Sequence, residues 1–237
     1  MCLAPCYSSG VAKLTTTTQL RRAYELMRAH SGHLHWWPAE TPFEVCVGAI
    51  LTQNTAWSNV ERAIANLKTA RVFHPRKLFA LTERQLARHI RPTGYFNVKA
   101  RRLRSFLRVL VEEYDADLNR LFAGDTVQVR TRLLAIHGIG PETADSMLLY
   151  AGNHHSFVVD AYTRRIFPRH HWCAKAASYD DVKQLCEASL NHKPAGERLD
   201  YWQDYHAQLV RVGHRYCRPR QPLCEQCPLH PLLPRQD

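Results

Sequence analysis

Near its C-terminal end the chain sets three cysteines close together, Cys217, Cys224 and Cys227, at intervals of six and two residues. Crowded thiols of this kind are soft ligands for zinc or an iron-sulfur cluster. They point to a metal site in a reducing compartment rather than to a disulfide framework. A second constellation lies upstream, Gly138-Ile139-Gly140-Pro141, with apolar residues on both sides. Two glycines one residue apart allow φ > 0 and close backbone approach, while Pro141 suits the first turn of the next helix. The expected product is a tight helical hairpin whose exposed N–H groups hold a phosphate oxygen without reading sequence. Asp160 follows, in Val158-Val159-Asp160 ahead of the helical-looking Ala161 to Phe167. An aspartate there caps the helix and stays ionised, so a plain cap and a working anion are both open on these residues alone.

The elements that must position these groups are helical. Glycine is scarce, 10 of 237 residues, and β-branched runs are short, with Phe157-Val158-Val159 the nearest approach to a strand. Phe43, Val47, Ile50 and Leu51 recur at helical spacing, as do Val60, Ile64 and Leu67, then Leu103, Phe106, Leu107 and Leu110. Breakers at Pro38, Pro42, His74-Pro75, Pro92-Thr93-Gly94, Gly124-Asp125, Gly152-Asn153, Pro168 and Pro194-Ala195-Gly196 divide the chain into roughly ten helices. The fold class is all-α. From Arg218 onward, five prolines among the cysteines preclude one long helix, so the tail must be held by something else.

Composition narrows the partners. With 45% apolar and 22% charged residues the chain is an ordinary globular one, which excludes disorder and low-complexity architectures. No apolar stretch approaches the roughly 20 residues of a membrane span, and Met1 to Thr18 has no leader-like apolar core. We expect a cytoplasmic protein with no membrane partner. The net charge is +11, and between Arg71 and Leu110 eleven Lys and Arg face the single acid Glu83, which accounts for ten of those charges. Solvated faces mix signs, so a one-sided run, including Lys99, Arg101, Arg102 and Arg104, reads as a footprint for phosphates.

Taken together these features resemble the helix-hairpin-helix GPD superfamily of DNA glycosylases, and within it the endonuclease III-like branch. The resemblance runs from about Trp36 to Cys227. It rests on Ala49-Ile50-Leu51-Thr52-Gln53-Asn54-Thr55, on Pro92-Thr93-Gly94-Tyr95-Phe96-Asn97-Val98-Lys99-Ala100, on the hairpin with Thr143-Ala144, on Val159-Asp160 and on the cysteine spacing. It implies two helical lobes, a six-helix barrel lobe over 43–154 with the hairpin, and a second lobe of 1–42 with 155–237 and the cysteine loop, with Asp160 as catalytic carboxylate at the mouth of the cleft between them. It also implies that Gln53 fills the gap left by an extruded nucleotide and that Tyr95 wedges beside the opposite base. We expect Gly138, Gly140, Thr143, Lys99 and Arg101 as the accompanying contacts to double-stranded DNA, and a chain that works as a monomer.

One departure is informative. Bifunctional members carry a lysine in the hairpin where this chain has Glu142, and no lysine occurs between Lys99 and Lys175. A carboxylate cannot form an imine, so the expected nucleophile is water and strand cleavage is not expected. Trp36-Trp37-Pro38 and Phe43 are core by composition, yet with Gln53-Asn54-Thr55 they look like the 3-methyladenine DNA glycosylase III subgroup, where such residues line the base pocket. A positively charged alkylated purine would stack well there and leave readily. That subgroup's pocket lysine has no clear match, and His214 stands in the corresponding stretch.

The cysteines match the first three ligands of the family's cluster loop, but Leu233 occupies the place of the fourth. Three outcomes stay open: a [4Fe-4S] cluster with a substitute ligand, zinc held by three cysteines and His230, or idle thiols. Cys2, Cys6, Cys46, Cys173 and Cys186 read as ordinary thiols. The first rival to an alkylated-base glycosylase is an endonuclease III-type enzyme for oxidised pyrimidines or mismatches, and the second is a catalytically silent DNA-binding module.

Overall fold

The computed structural model describes residues 15–234. Cys2 and Cys6 lie outside the described residues. Within them the chain forms twelve α-helices and no strand.

The hairpin-bearing part contains eight helices: α2 (Pro42–Leu51), α3 (Trp57–Thr69), α4 (Pro75–Ala80), α5 (Glu83–His89), α6 (Phe96–Glu112), α7 (Leu118–Leu121), α8 (Thr126–Leu134) and α9 (Pro141–Tyr150). Their starts are written locally. Thr41 caps α2 with Pro42 in its first turn, and Thr82 with Gln85 and Asp125 with Gln128 close capping boxes on α5 and α8. Every residue of α2 from Phe43 to Leu51 is buried. Apart from Glu44, which pairs with Lys68 at 2.9 Å, the helix is apolar on all sides and belongs in the centre, and α3, α6 and α9 pack around it. Leu103, Phe106, Leu107 and Leu110 of α6, all fully buried, supply the stripe that meets it.

A second core gathers α1 (Thr16–Ser31), α10 (Thr163–Arg169), α11 (Tyr179–Ser189) and α12 (Ala195–Arg215). Leu20, Ala23 and Met27 of α1 meet Cys186 of α11 and Tyr205 of α12, with Phe157 and Val159 threaded between. The Phe157–Val159 segment is buried and in no regular secondary structure, without a strand partner among the described residues. Asp204, fully buried on α12, holds α1 and its exit by accepting from Tyr24 Oη (2.8 Å), Arg28 Nη1 (2.9 Å) and the Leu34 amide (2.9 Å).

A polar knot joins the two cores. The Asp145 carboxylate of α9, with no exposed surface, accepts from Arg130 of α8 (Nε to Oδ1, 2.9 Å), Ser156 Oγ (2.6 Å) and Tyr179 Oη of α11 (2.8 Å). Lys183 Nζ, also from α11, stands 3.3 Å from Oδ1 and donates to Ser156 Oγ at 2.6 Å. Buried charge survives only when paired and hydrogen-bonded, and here both carboxylate oxygens are supplied.

Candidate active site

Asp160 follows the buried Phe157–Val159 segment. Its Oδ1 accepts from the Thr163 amide (2.7 Å) and hydroxyl (2.8 Å), so it caps α10, two residues later than the Ala161 start expected from sequence. The residue is buried, 8% exposed. Oδ2 has a single neighbour of note, His206 Nε2 on α12, at 3.7 Å. Burial alone would raise this carboxyl, but His206 and the two Thr163 donors outweigh it and hold it below the usual carboxylate range.

His206 was not expected. The sequence comparison directs attention to His214, which is exposed near the end of α12, whereas the imidazole facing Asp160 lies two turns earlier. A signal was present: Trp202, Tyr205, His206, Leu209, Val212 and Gly213 repeat at helical spacing on one buried face, and a histidine in that stripe needs a partner. The partner is Tyr150, whose hydroxyl lies 2.7 Å from Nδ1 and 3.1 Å from the Gln203 carbonyl.

From Tyr150 an aromatic wall continues outward. Its ring is 5.2 Å from Trp37, which meets Trp57 at 5.3 Å and Trp36 at 6.0 Å. Trp36 and Trp37 are half-buried, and each has an indole N–H without a partner. Trp57, absent from the sequence reading, belongs to this wall; Pro38 is exposed beside it. Phe43 does not join them. It packs against Phe73 (5.4 Å) inside the first core, because the inward face of α2 claims it, and so the structure removes it from the pocket. A cavity of about 460 Å³ borders Phe43, His74, Pro75 and Phe122, and Asp160 is not among its lining residues.

The hairpin lies on α9's N-terminal side, with Pro141 in the first turn as expected. Only Gly138 needs to be glycine for its backbone, at φ +88°, and an added Cβ would fall 2.2 Å from Arg102 Cγ. Gly140 has ordinary extended torsions and open space where a Cβ would be. Gln53 ties the neighbouring loop to this turn: Nε2 donates to Gly138 O (3.2 Å) and Thr143 Oγ1 (3.0 Å), and Oε1 accepts from Arg102. Glu142, at the start of α9, feels both Asp160 and His206. Desolvation and the Asp160 charge push its carboxyl up to about 6. Tyr95, 75% exposed and left-handed at φ 44°, projects ahead of α6.

Several basic residues are not where the charge count places them. Lys99 is 2% exposed and donates to Leu51 O (2.9 Å) and Thr93 O (2.7 Å), so it caps the end of α2 and is not an exposed contact. Burial, with Arg102 nearby, lowers its amine to about 8. Arg104 donates to the Phe79 and Leu81 carbonyls. Arg101 and Arg108 remain exposed and share a shallow basin with His137 of the hairpin.

The cysteine loop consists of two single-turn 3-10 helices, Cys224–Gln226 and His230–Leu232. Cys217 is buried and its Sγ accepts from Arg169 at 3.2 Å, while His230 Nδ1 bonds the Cys224 carbonyl at 3.1 Å. Leu229 is fully buried in the second core, and His170 holds the Leu232 carbonyl. Among the described residues no three of His, Cys, Asp and Glu are grouped as a metal ion requires. Burial, and then the neighbouring Cys217 and Cys224, push the Cys227 thiol up to about 11, so the three thiols lie near one another, and apolar and arginine contacts hold the loop.

Comparison with known proteins defines the class: the chain belongs to the HhH-GPD superfamily of base excision DNA repair proteins, whose sequence profile matches residues 47–192. Within that class it is endonuclease III-like, a DNA glycosylase of base excision repair. A Methanocaldococcus jannaschii protein named as a DNA repair glycosylase, MJ1434, is 43% identical over 209 residues, covering 88% of this chain and 92% of that one. Among solved structures, a trapped endonuclease III–DNA covalent intermediate matches with TM-score 0.77 and 22% identity, over 93% of this chain and 96% of that one. The H. pylori 3-methyladenine DNA glycosylase bound to 1,N6-ethenoadenine matches with TM-score 0.70 and 24% identity, over 84% and 98% respectively. At these identities the two structures speak for the fold.

Proposed function

We propose that the chain is a monofunctional glycosylase that acts as a monomer on double-stranded DNA and releases an alkylated base by attack of water. The observation that carries this reading is the identity of the hairpin residue electrostatically coupled to Asp160: it is the carboxyl of Glu142, not an amine. With no amine to add to the sugar, Asp160 as an anion stabilises the positive charge that develops at C1′ as the base departs. The extruded base lies against Trp36 and Trp37. Aromatic faces beside two carboxyl groups favour a cationic base over a neutral oxidised pyrimidine.

Duplexes carrying one lesion each test this directly. Free base should appear from methylated purine DNA, with the strand left intact until heated in alkali. Release from oxidised pyrimidines alone, or a borohydride-trapped adduct, would overturn the reading. No release from any duplex would leave a DNA-binding module.

Phosphate contact is assigned to Gly140 and the start of α9, with Tyr95, Thr143 and the Gln53 loop beside it, and to Arg101 and Arg108. Replacing both arginines with alanine should lower the slope of log affinity against log salt by about 2, roughly one per lost phosphate contact. An unchanged slope in fluorescence anisotropy titrations would return them to ordinary surface.

The spacing of Cys217, Cys224 and Cys227 favours a [4Fe-4S] cluster, but Leu233 in the place of the fourth ligand disfavours it. We expect the purified chain to be colourless and to melt at the same temperature with and without chelator. A brown protein with four irons per chain, losing stability with its iron, would reverse this.

A further inference from the structure

We propose that His206 is a second catalytic residue: its Nε2 and Asp160 Oδ2 together seat the attacking water, and His206 takes that water's proton. The inference rests on the hydrolytic reading above and concerns the same site.

Proton bookkeeping around the imidazole supports it. Tyr150 has one hydroxyl proton and two neighbours, the Gln203 carbonyl at 3.1 Å and His206 Nδ1 at 2.7 Å. A carbonyl only accepts, so bonding both requires Tyr150 to donate to Gln203 and to accept from Nδ1–H. In the neutral imidazole, the form that can take a proton, Nε2 then carries the lone pair. It is buried, has no partner, and faces Asp160 Oδ2 at 3.7 Å, beyond hydrogen-bond length. The other carboxylate oxygen, Oδ1, is taken up by Thr163. Two acceptors facing each other across such a gap are complementary to one molecule that donates twice, and water is that molecule.

The step balances. Water oxygen bonds to C1′, the C1′–N bond breaks and its electron pair leaves with the base, and one water proton passes to Nε2, to be returned later to solvent. Asp160 stays an anion throughout. The aromatic wall touches the same pair, since Tyr150 packs against both Trp37 (5.2 Å) and the His206 ring (5.7 Å). A base stacked there therefore lies next to the residue that fixes the imidazole.

The ionisable groups that feel Asp160 are Glu142 and Tyr150 of α9 and Tyr162 just ahead of α10, while Arg164 of α10 acts on Glu142 and Asp204 of α12 on Tyr150. Glu142, its carboxyl pushed up to about 6 by burial and by Asp160, can also change charge near the pair, so the test must separate its contribution from that of His206.

Single-turnover base release from a methylated duplex across pH does so. His206→Asn retains an amide donor toward Tyr150 and removes Nε2. It should lower the rate at neutral pH about 100-fold, a usual size for a lost general base, with DNA affinity unchanged. The fall in rate toward acid should vanish in His206→Asn and persist in Glu142→Gln. His206→Gln, which restores a polar but non-basic atom near Nε2, should not recover the rate. Wild-type rate and acid fall in His206→Asn, or full recovery in a folded His206→Gln, would overturn the proposal. If thermal melting shows His206→Asn unfolded, His206→Gln alone decides. A wild-type chain that releases base but is trapped by borohydride removes the hydrolytic reading and this inference together, whereas an untrapped active chain with an unaltered His206→Asn removes only the inference.

Discussion

Asp160→Asn should release base at least about 10²- to 10³-fold more slowly than wild type, the usual loss when one preorganised electrostatic group is removed. The substitution is a clean one in this setting. Asn keeps a carbonyl oxygen to accept from the Thr163 amide and hydroxyl, so the cap on α10 survives, while the charge facing His206 is lost. Affinity for lesion DNA should be equal or higher, because a buried anion near phosphates is gone. The wild-type pH profile carries the same argument. A carboxyl held below its ordinary range is ionised above its unfolded value and stays so until the solution is more acidic than a free aspartate would need. The acid fall of activity should therefore come from groups titrating higher, not from Asp160. Unchanged single-turnover rates in the Asn variant would end its assignment as the catalytic anion.

Asp145→Ala should have the largest effect on stability, about 3–5 kcal/mol, the range for breaking a buried ion pair by removing one member. Arg130, Ser156, Tyr179 and Lys183 all direct polar atoms at this carboxylate, and Asp145 has no exposed surface. Truncation leaves Arg130 and Lys183 without their buried counter-charge and opens a space where three segments meet. Denaturant unfolding would measure the loss, and Asp145→Asn, which keeps an acceptor but not the charge, should fall between. A midpoint within error of wild type for the alanine variant would show that the knot is dispensable.

Much of this was legible in the sequence, for identifiable reasons. The helical class follows from apolar spacing and sparse glycine, and α2, α3 and α6 are found where those stripes predict. The hairpin followed from Gly138 and Pro141, whose backbone requirements are local. What failed was whatever depends on the third dimension. Phe43 was assigned to the pocket because it is close in sequence to Trp36 and Trp37, but helical phase turns it onto Phe73. Lys99 was counted as surface charge, although its long stem reaches back under α6 to the unsatisfied carbonyl of Leu51. His206 escaped because its partners, Tyr150 and Asp160, are 56 and 46 residues away in the chain. Trp57 escaped for the same reason: its contact with Trp37 is made across a turn of backbone that spacing alone does not measure.

The chain crosses between its two cores twice, once through residues 32–41 after α1 and once through 151–160 after α9. Trp36 and Trp37 ride on the first crossing, and Asp160 ends the second. Any swing of one half of the molecule against the other must be absorbed in these same connectors. Closing of the two halves on DNA would thus change the distance between aromatic wall and carboxylate directly, so that grip on the DNA and alignment of the reacting sugar are one mechanical event.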